Sequence, residues 1–107
     1  MYEYEAIVTS VYDGDTITVD IDLGFDVILK KQKIRLLGID TPEVRGSERT
    51  DGLISRDALR KKILGEQVVI KTEKRGKYGR WLGTIYIEST NINQWLINEG
   101  YAVEYGK

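Results

Sequence analysis

Asp15 is the first residue whose placement invites a chemical reading. It follows the Asp13-Gly14 turn and shares parity with Ile17, Val19 and Ile21, whereas Thr16, Thr18, Asp20 and Asp22 take the other parity. That alternation is the period of a half-buried strand, so the Asp15 carboxylate should point toward the mouth of the sheet rather than into solvent. An unpaired carboxylate there is costly, and a cation or hydrogen-bond donors should meet it. The residue reads equally as an aspartate that serves the preceding turn. The second stretch runs from Arg35 through Leu36, Leu37, Gly38, Ile39, Asp40, Thr41 and Pro42 to Glu43. Two carboxylates and an arginine follow an apolar strand end and bracket a rigid Thr-Pro step, where the scaffold can fix functional groups. Its plain alternative is a polar loop with an Arg–Asp pair. Neither Asp13/Asp15 nor Asp20/Asp22 continues into the loop an EF-hand requires.

Composition narrows the chemistry. The 107 residues include no cysteine and no histidine. Thiol nucleophiles, disulfides, serine–histidine mechanisms and the usual zinc sites are thereby excluded. Acid–base or metal work must rest on carboxylates, Lys, Arg, Tyr or the backbone, and oxygen ligands favour calcium, magnesium or manganese. The formal charge is −1, with no global pull toward nucleic acid, but the basic residues are clustered. Lys30, Lys31, Lys33 and Arg35 form one stretch and Lys71, Lys74, Arg75, Lys77 and Arg80 another. Each run reads as a solvated edge or as a local attraction for a polyanion.

The elements that must position these residues follow from periodicity. Strands are predicted over Tyr4 to Val11, from Asp15, over Val27 to Ile39 with a bend or bulge at the lysines, over Gln67–Thr72 and over Trp81–Ile87. Gly46–Asp51 reads as a polar, mobile loop. Gly52 to Leu64 suits a helix with Ile54/Ala58 and Leu59/Ile63 as i,i+4 pairs and Gly65 as its stop. A second helix, capped near Asn91 or Asn93, carries Trp95, Leu96 and Ile97 before Gly100. Trp81 and Trp95 read as core or barrel-end packing. Five strands with a helix between the third and fourth is the order of an α+β, OB-fold barrel with two helices. At this length one domain, 1–107, is expected.

Asp13-Gly14-Asp15-Thr16, then Arg35 through Glu43, then Lys77-Tyr78-Gly79-Arg80 resemble, in order, three signatures of the staphylococcal (micrococcal) nuclease family. The resemblance runs from about Ile7 to Tyr105. It implies a calcium-dependent phosphodiesterase that cleaves DNA and RNA, prefers single-stranded substrate and leaves 3′-phosphates. By the same resemblance Asp15 and Asp40 are the calcium-ligating carboxylates, and Thr41 lends its carbonyl. Arg35 and Arg80 grip the scissile phosphate, Glu43 is the proposed general base, and Lys77 and Tyr78 contact a terminal phosphate. Tyr105 is either a substrate contact or a packing residue. The set is chemically coherent: a hard cation offsets phosphate charge and acidifies water, and arginine offers a planar, permanently charged fork. No base-reading motif is present, so backbone contacts and stacking should dominate binding.

Two departures stand out. The hairpin between Asp15 and Arg35 is longer than in the best-known member, through Asp20–Asp26 and its neighbours. The chain stops at Lys107, where longer members continue into a third helix; its absence is expected to lower stability or leave an apolar patch favouring a dimer, so a monomer or weak dimer is anticipated. No stretch suits a membrane span and the N-terminus is not signal-like, so the expectation is a cytoplasmic chain, or an extracellular one if a leader has been removed. Short members of this type suggest a phage-like origin. The competing readings are an OB module that binds nucleic acid without cutting it and a purely structural domain.

Overall fold

The computed structural model describes residues 2–75 and 80–105. Strand β1 spans Tyr2–Asp13, β2 Thr16–Asp22, β3 Ile28–Leu36, β4 Ile39–Asp40, β5 Gln67–Arg75, β6 Trp81–Ile87, β7 Thr90–Asn91 and β8 Val103–Glu104. Helix α1 covers Arg49–Ile63 and α2 covers Ile92–Asn98. The main sheet runs β3-β2-β1-β5-β6-β7, and a parallel pairing of Ile34–Leu36 with Trp81–Gly83 joins β3 back to β6. That pairing closes five strands into the OB-type barrel expected from the order of elements, with α1 between the third and fourth barrel strands.

Closure needs strong curvature, and β1 supplies it. Its register against β2 shifts between Val8 and Ser10 and again between Val11 and Asp13, and such bulges bend a strand and increase its twist. β1 can therefore pair with β2 along one edge and with β5 along the other. The alternating residues of β1, β2 and β3 point inward. Val8, Ile17, Val19 and Ile34 are fully buried with Ile70 and Ile85 from the other wall. Leu59 and Ile63 of α1 and Ile92 and Leu96 of α2 complete the core. Trp81 and Trp95 pack against it at partial burial, as expected. Among the described residues no helix is long and apolar enough to cross a membrane.

Four expectations need correction. The third strand does not run on to Ile39: the Leu37 N–H bonds to Gly83 O at 2.8 Å and its carbonyl accepts from the Asn93 amide at 2.9 Å, which ends β3 and starts a separate β4. The anticipated irregularity in the lysine stretch is present, with Lys31 at φ +58° and a register shift between Val19 and Ile21. The Gly46–Asp51 segment is not an open loop. It forms a 3-10 turn, Gly46–Glu48, that leads directly into α1 at Arg49. No side chain caps that start, and Glu48 instead bonds back to the Glu43 N–H. The face that α1 buries is Gly52, Ser55, Leu59 and Ile63, leaving Ile54 exposed and Ala58 only half-buried. Finally, β5 continues three residues past Thr72, to Arg75. At α2, Asn91 is the cap, its side chain accepting from Gln94 N at 3.0 Å.

Candidate active site

The β1–β2 turn is the first support of the site. A Cβ on Gly14 would stand 2.8 Å from Thr41 Cγ2 and 3.0 Å from Ser55 Cβ, so only glycine lets this turn press against Thr41. The close approach delivers Asp15 into a buried position, 6% exposed, although it lies in the turn rather than on β2 itself. Its Oδ2 accepts the Thr41 N–H at 3.1 Å, and Oδ1 accepts from Thr16 Oγ1 at 3.1 Å. The inward carboxylate read from parity is thus present, and donors do meet it.

A cation meets it as well. Arg35 Nη1 stands 3.3 Å from Asp15 Oδ2, while Nη2 stands 3.4 Å from Asp40 Oδ1. Nη1 also donates to the carbonyls of Leu36 (3.2 Å) and Ile39 (3.0 Å). Backbone acceptors therefore hold the guanidinium between the two carboxylates, with its side chain 17% exposed and that of Asp40 49% exposed. Asp15, Arg35, Asp40, Glu43 and Arg80 line one hollow of about 560 Å³. Tyr105 lies beside it, its ring centroid 5.9 Å from the Arg35 guanidinium carbon, fixed by a Tyr105 N–H to Gly38 O bond of 2.9 Å and by the β4–β8 pairing. Lys77 and Tyr78 lie outside the described residues.

Glu43 is held from behind by α1. A Cβ at Gly52 would fall well inside contact distance of the Glu43 carbonyl, so this glycine near the start of α1 permits the loop to lie against the helix. The Glu43 side chain is exposed at the rim of the hollow. Asp13 sits behind Asp15, buried, with its Oδ1 accepting the Asp15 N–H at 3.1 Å. Burial first, and then the neighbouring Asp15 carboxylate, push the Asp13 carboxyl from 3.8 up to about 7.

The donor set agrees with a hard cation. Asp15, Asp40 and the Thr41 carbonyl supply oxygen only, and the buried Thr41 Oγ1 has no hydrogen-bond partner. Among the described residues no three acidic side chains gather into a cage. Such a cation, which takes about six to eight oxygen ligands, would therefore draw much of its shell from water or substrate.

Comparison with known proteins decides the family. The sequence profile of the family described as Staphylococcal nuclease homologue matches residues 33–107. The chain belongs to the staphylococcal nuclease family. The matched span includes Arg35, Asp40, Glu43 and Arg80, whereas Asp15 precedes it. Relatives extend the similarity over that first motif. Endonuclease YhcR of Bacillus subtilis (strain 168) is 34% identical over 115 residues, covering 96% of this chain but 9% of the relative. An uncharacterized endonuclease of Escherichia coli O157:H7 is 35% identical over 99 residues, 92% of this chain and 59% of its own length. A probable staphylococcal-like nuclease of Oryza sativa subsp. japonica, CAN1, is 33% identical over 82 residues, 77% of this chain and 24% of its own length. The chain thus spans less than two thirds of the length of each of these relatives.

The hollow also holds residues that the sequence reading did not single out as site residues. Lys33 lies two positions before Arg35 on β3 and faces the same way, while Tyr12 of β1 receives a 2.9 Å hydrogen bond from Arg45 Nη2. Parity with Arg35 identifies Lys33. The bulges in β1 conceal Tyr12 from the same argument.

Proposed function

We propose that this chain is a calcium-dependent nuclease that hydrolyses phosphodiester bonds of DNA and RNA with little sequence preference, favours single strands and leaves 3′-phosphates. The observation that carries the reading is the convergence of Asp15 and Asp40, from separate elements, on the guanidinium of Arg35 at 3.3 and 3.4 Å, inside a hollow also lined by Glu43 and Arg80. The nuclease names of relatives covering most of this chain support it.

In this reading Asp15, Asp40 and the Thr41 carbonyl hold the cation. When bound, calcium supplies charge neutralisation at the phosphate and acidifies water. Arg35, fixed by the Leu36 and Ile39 carbonyls, and Arg80, which lines the same hollow, bind and orient the phosphate oxygens and stabilise the charge that grows on them. Glu43, at the rim and two residues beyond Thr41, accepts a proton from the attacking water. Tyr105 flanks Arg35 and offers its ring to a sugar or base, and Lys77 and Tyr78 take a terminal phosphate.

The test is digestion of single-stranded DNA and RNA by purified protein in calcium, in magnesium and in chelator, with end-group analysis of the products. Cleavage in calcium, none in chelator, and 3′-phosphate ends are expected. Retained binding with no cleavage in any condition would replace this reading with a binding module.

A further inference from the structure

Beyond the scissile-phosphate site, the outer face of the barrel carries an ordered second row. Across β1, β2 and β3 the register aligns Asp13, Thr16 and Arg35 in one row, and Ser10, Thr18 and Lys33 in the next. The two rows are two residues apart on β2 and on β3, roughly 7 Å along a strand. That is close to the repeat between successive phosphates of an extended nucleic acid. Both rows open into the same hollow, and the Tyr12 ring, half-exposed and hydrogen-bonded by Arg45, stands at its edge.

We infer that Lys33, Thr18 and Ser10 form a subsite for the phosphate next to the scissile one, with Tyr12 and Arg45 receiving the nucleoside attached to it. This inference rests on the nuclease reading for the identity of the ligand. The chemistry is that of a single anionic group: one ammonium, two hydroxyl donors and a flanking guanidinium. An aromatic face held in place by Arg45 adds stacking that tolerates any base.

The track ends after that one step. In the following part of the face Asp20 pairs with Lys30 at 3.5 Å and accepts the Lys31 N–H at 3.0 Å. Glu5 and Asp22 line the same adjoining hollow as Asp20. A polyanion meets net negative charge there, so the face accommodates one extra nucleotide and repels a second.

The experiment measures affinity for fluorescent oligothymidylates of two, three, four and eight residues, in chelator so that no strand is cut, for the wild type and for Lys33→Gln, Arg45→Gln and Tyr12→Ser. These side chains are exposed, so folding is expected to persist and is checked by thermal melting. The expected wild-type pattern is one step of about tenfold in affinity as length grows, followed by a plateau. Each variant lowers that step about three- to tenfold, and Lys33→Gln also reduces the dependence of log affinity on log salt by about 1. Affinity that climbs steadily with length, or a step that survives all three substitutions, overturns the subsite. Separate cleavage assays decide the nuclease reading, so strand binding with the expected step in a protein that never cuts would leave the subsite standing and the enzyme reading refuted.

Discussion

Asp15 Oδ2 accepts the backbone N–H of Thr41 at 3.1 Å, across 26 residues of sequence. This bond fastens the β1–β2 turn to the segment that carries Asp40 and Glu43, and it makes the two acidic stretches one site. Gly14 permits it by leaving room for the Thr41 side chain. Gly14→Ala is expected to push the turn away, to cost about 1–3 kcal/mol of stability in urea unfolding, and to reduce turnover. Unchanged stability and activity together would show that the packing has slack.

Gly52→Ala makes a sharper case because propensity and packing oppose one another. In an exposed helix the change would stabilise by about 1 kcal/mol. Here the new methyl meets the Glu43 carbonyl, so unfolding midpoints should fall rather than rise, with turnover falling too. A rise in the midpoint would contradict the positioning of the Glu43 loop.

Arg35→Lys and Arg80→Lys are each expected to lower kcat/KM by at least about a hundredfold, since an ammonium cannot reproduce a planar bidentate grip. Arg35→Lys should additionally loosen Asp15 from Asp40, because the guanidinium spans both. Near-wild-type turnover in either variant would remove that residue from the assigned role.

The Asp13–Asp15 pair predicts a pH dependence of stability. The Asp13 carboxyl is raised in the folded chain from 3.8 to about 7. The folded state therefore binds the proton more tightly than the unfolded chain does. Its contribution is fully present below about 3.8 and is lost as pH rises through about 7. Asp13→Asn should be more stable than wild type at pH 8, by an amount on the order of a few kcal/mol, and should match it near pH 4. Chemical denaturation in chelator at the two pH values checks this, and an equal difference at both would contradict it.

Much of this was legible because strand period and turn chemistry act locally. The β6 boundaries, a helix cap at Asn91 or Asn93 and the inward Asp15 follow from alternation and capping, and the structure takes Asn91 as the cap. The break of β3 at Leu37 was not legible. It depends on Asn93, whose buried amide accepts from Ile85 N and donates to the carbonyls of Leu37 and Gly83, partners that are up to 56 residues away. The start of α1 was hidden because Glu48 bonds to Glu43 rather than capping the helix. Tyr12 and Arg45 escaped notice because bulges shift the parity of β1 and because the pair meets across 33 residues.

The most direct test of the central claim compares wild type with Asp40→Asn on single-stranded DNA, in calcium and in chelator, with calcium binding measured by calorimetry on the same preparations. The account predicts cleavage by the wild type in calcium only, with cleavage and calcium affinity both falling sharply in Asp40→Asn. Undiminished, chelator-resistant cleavage by the variant would contradict it.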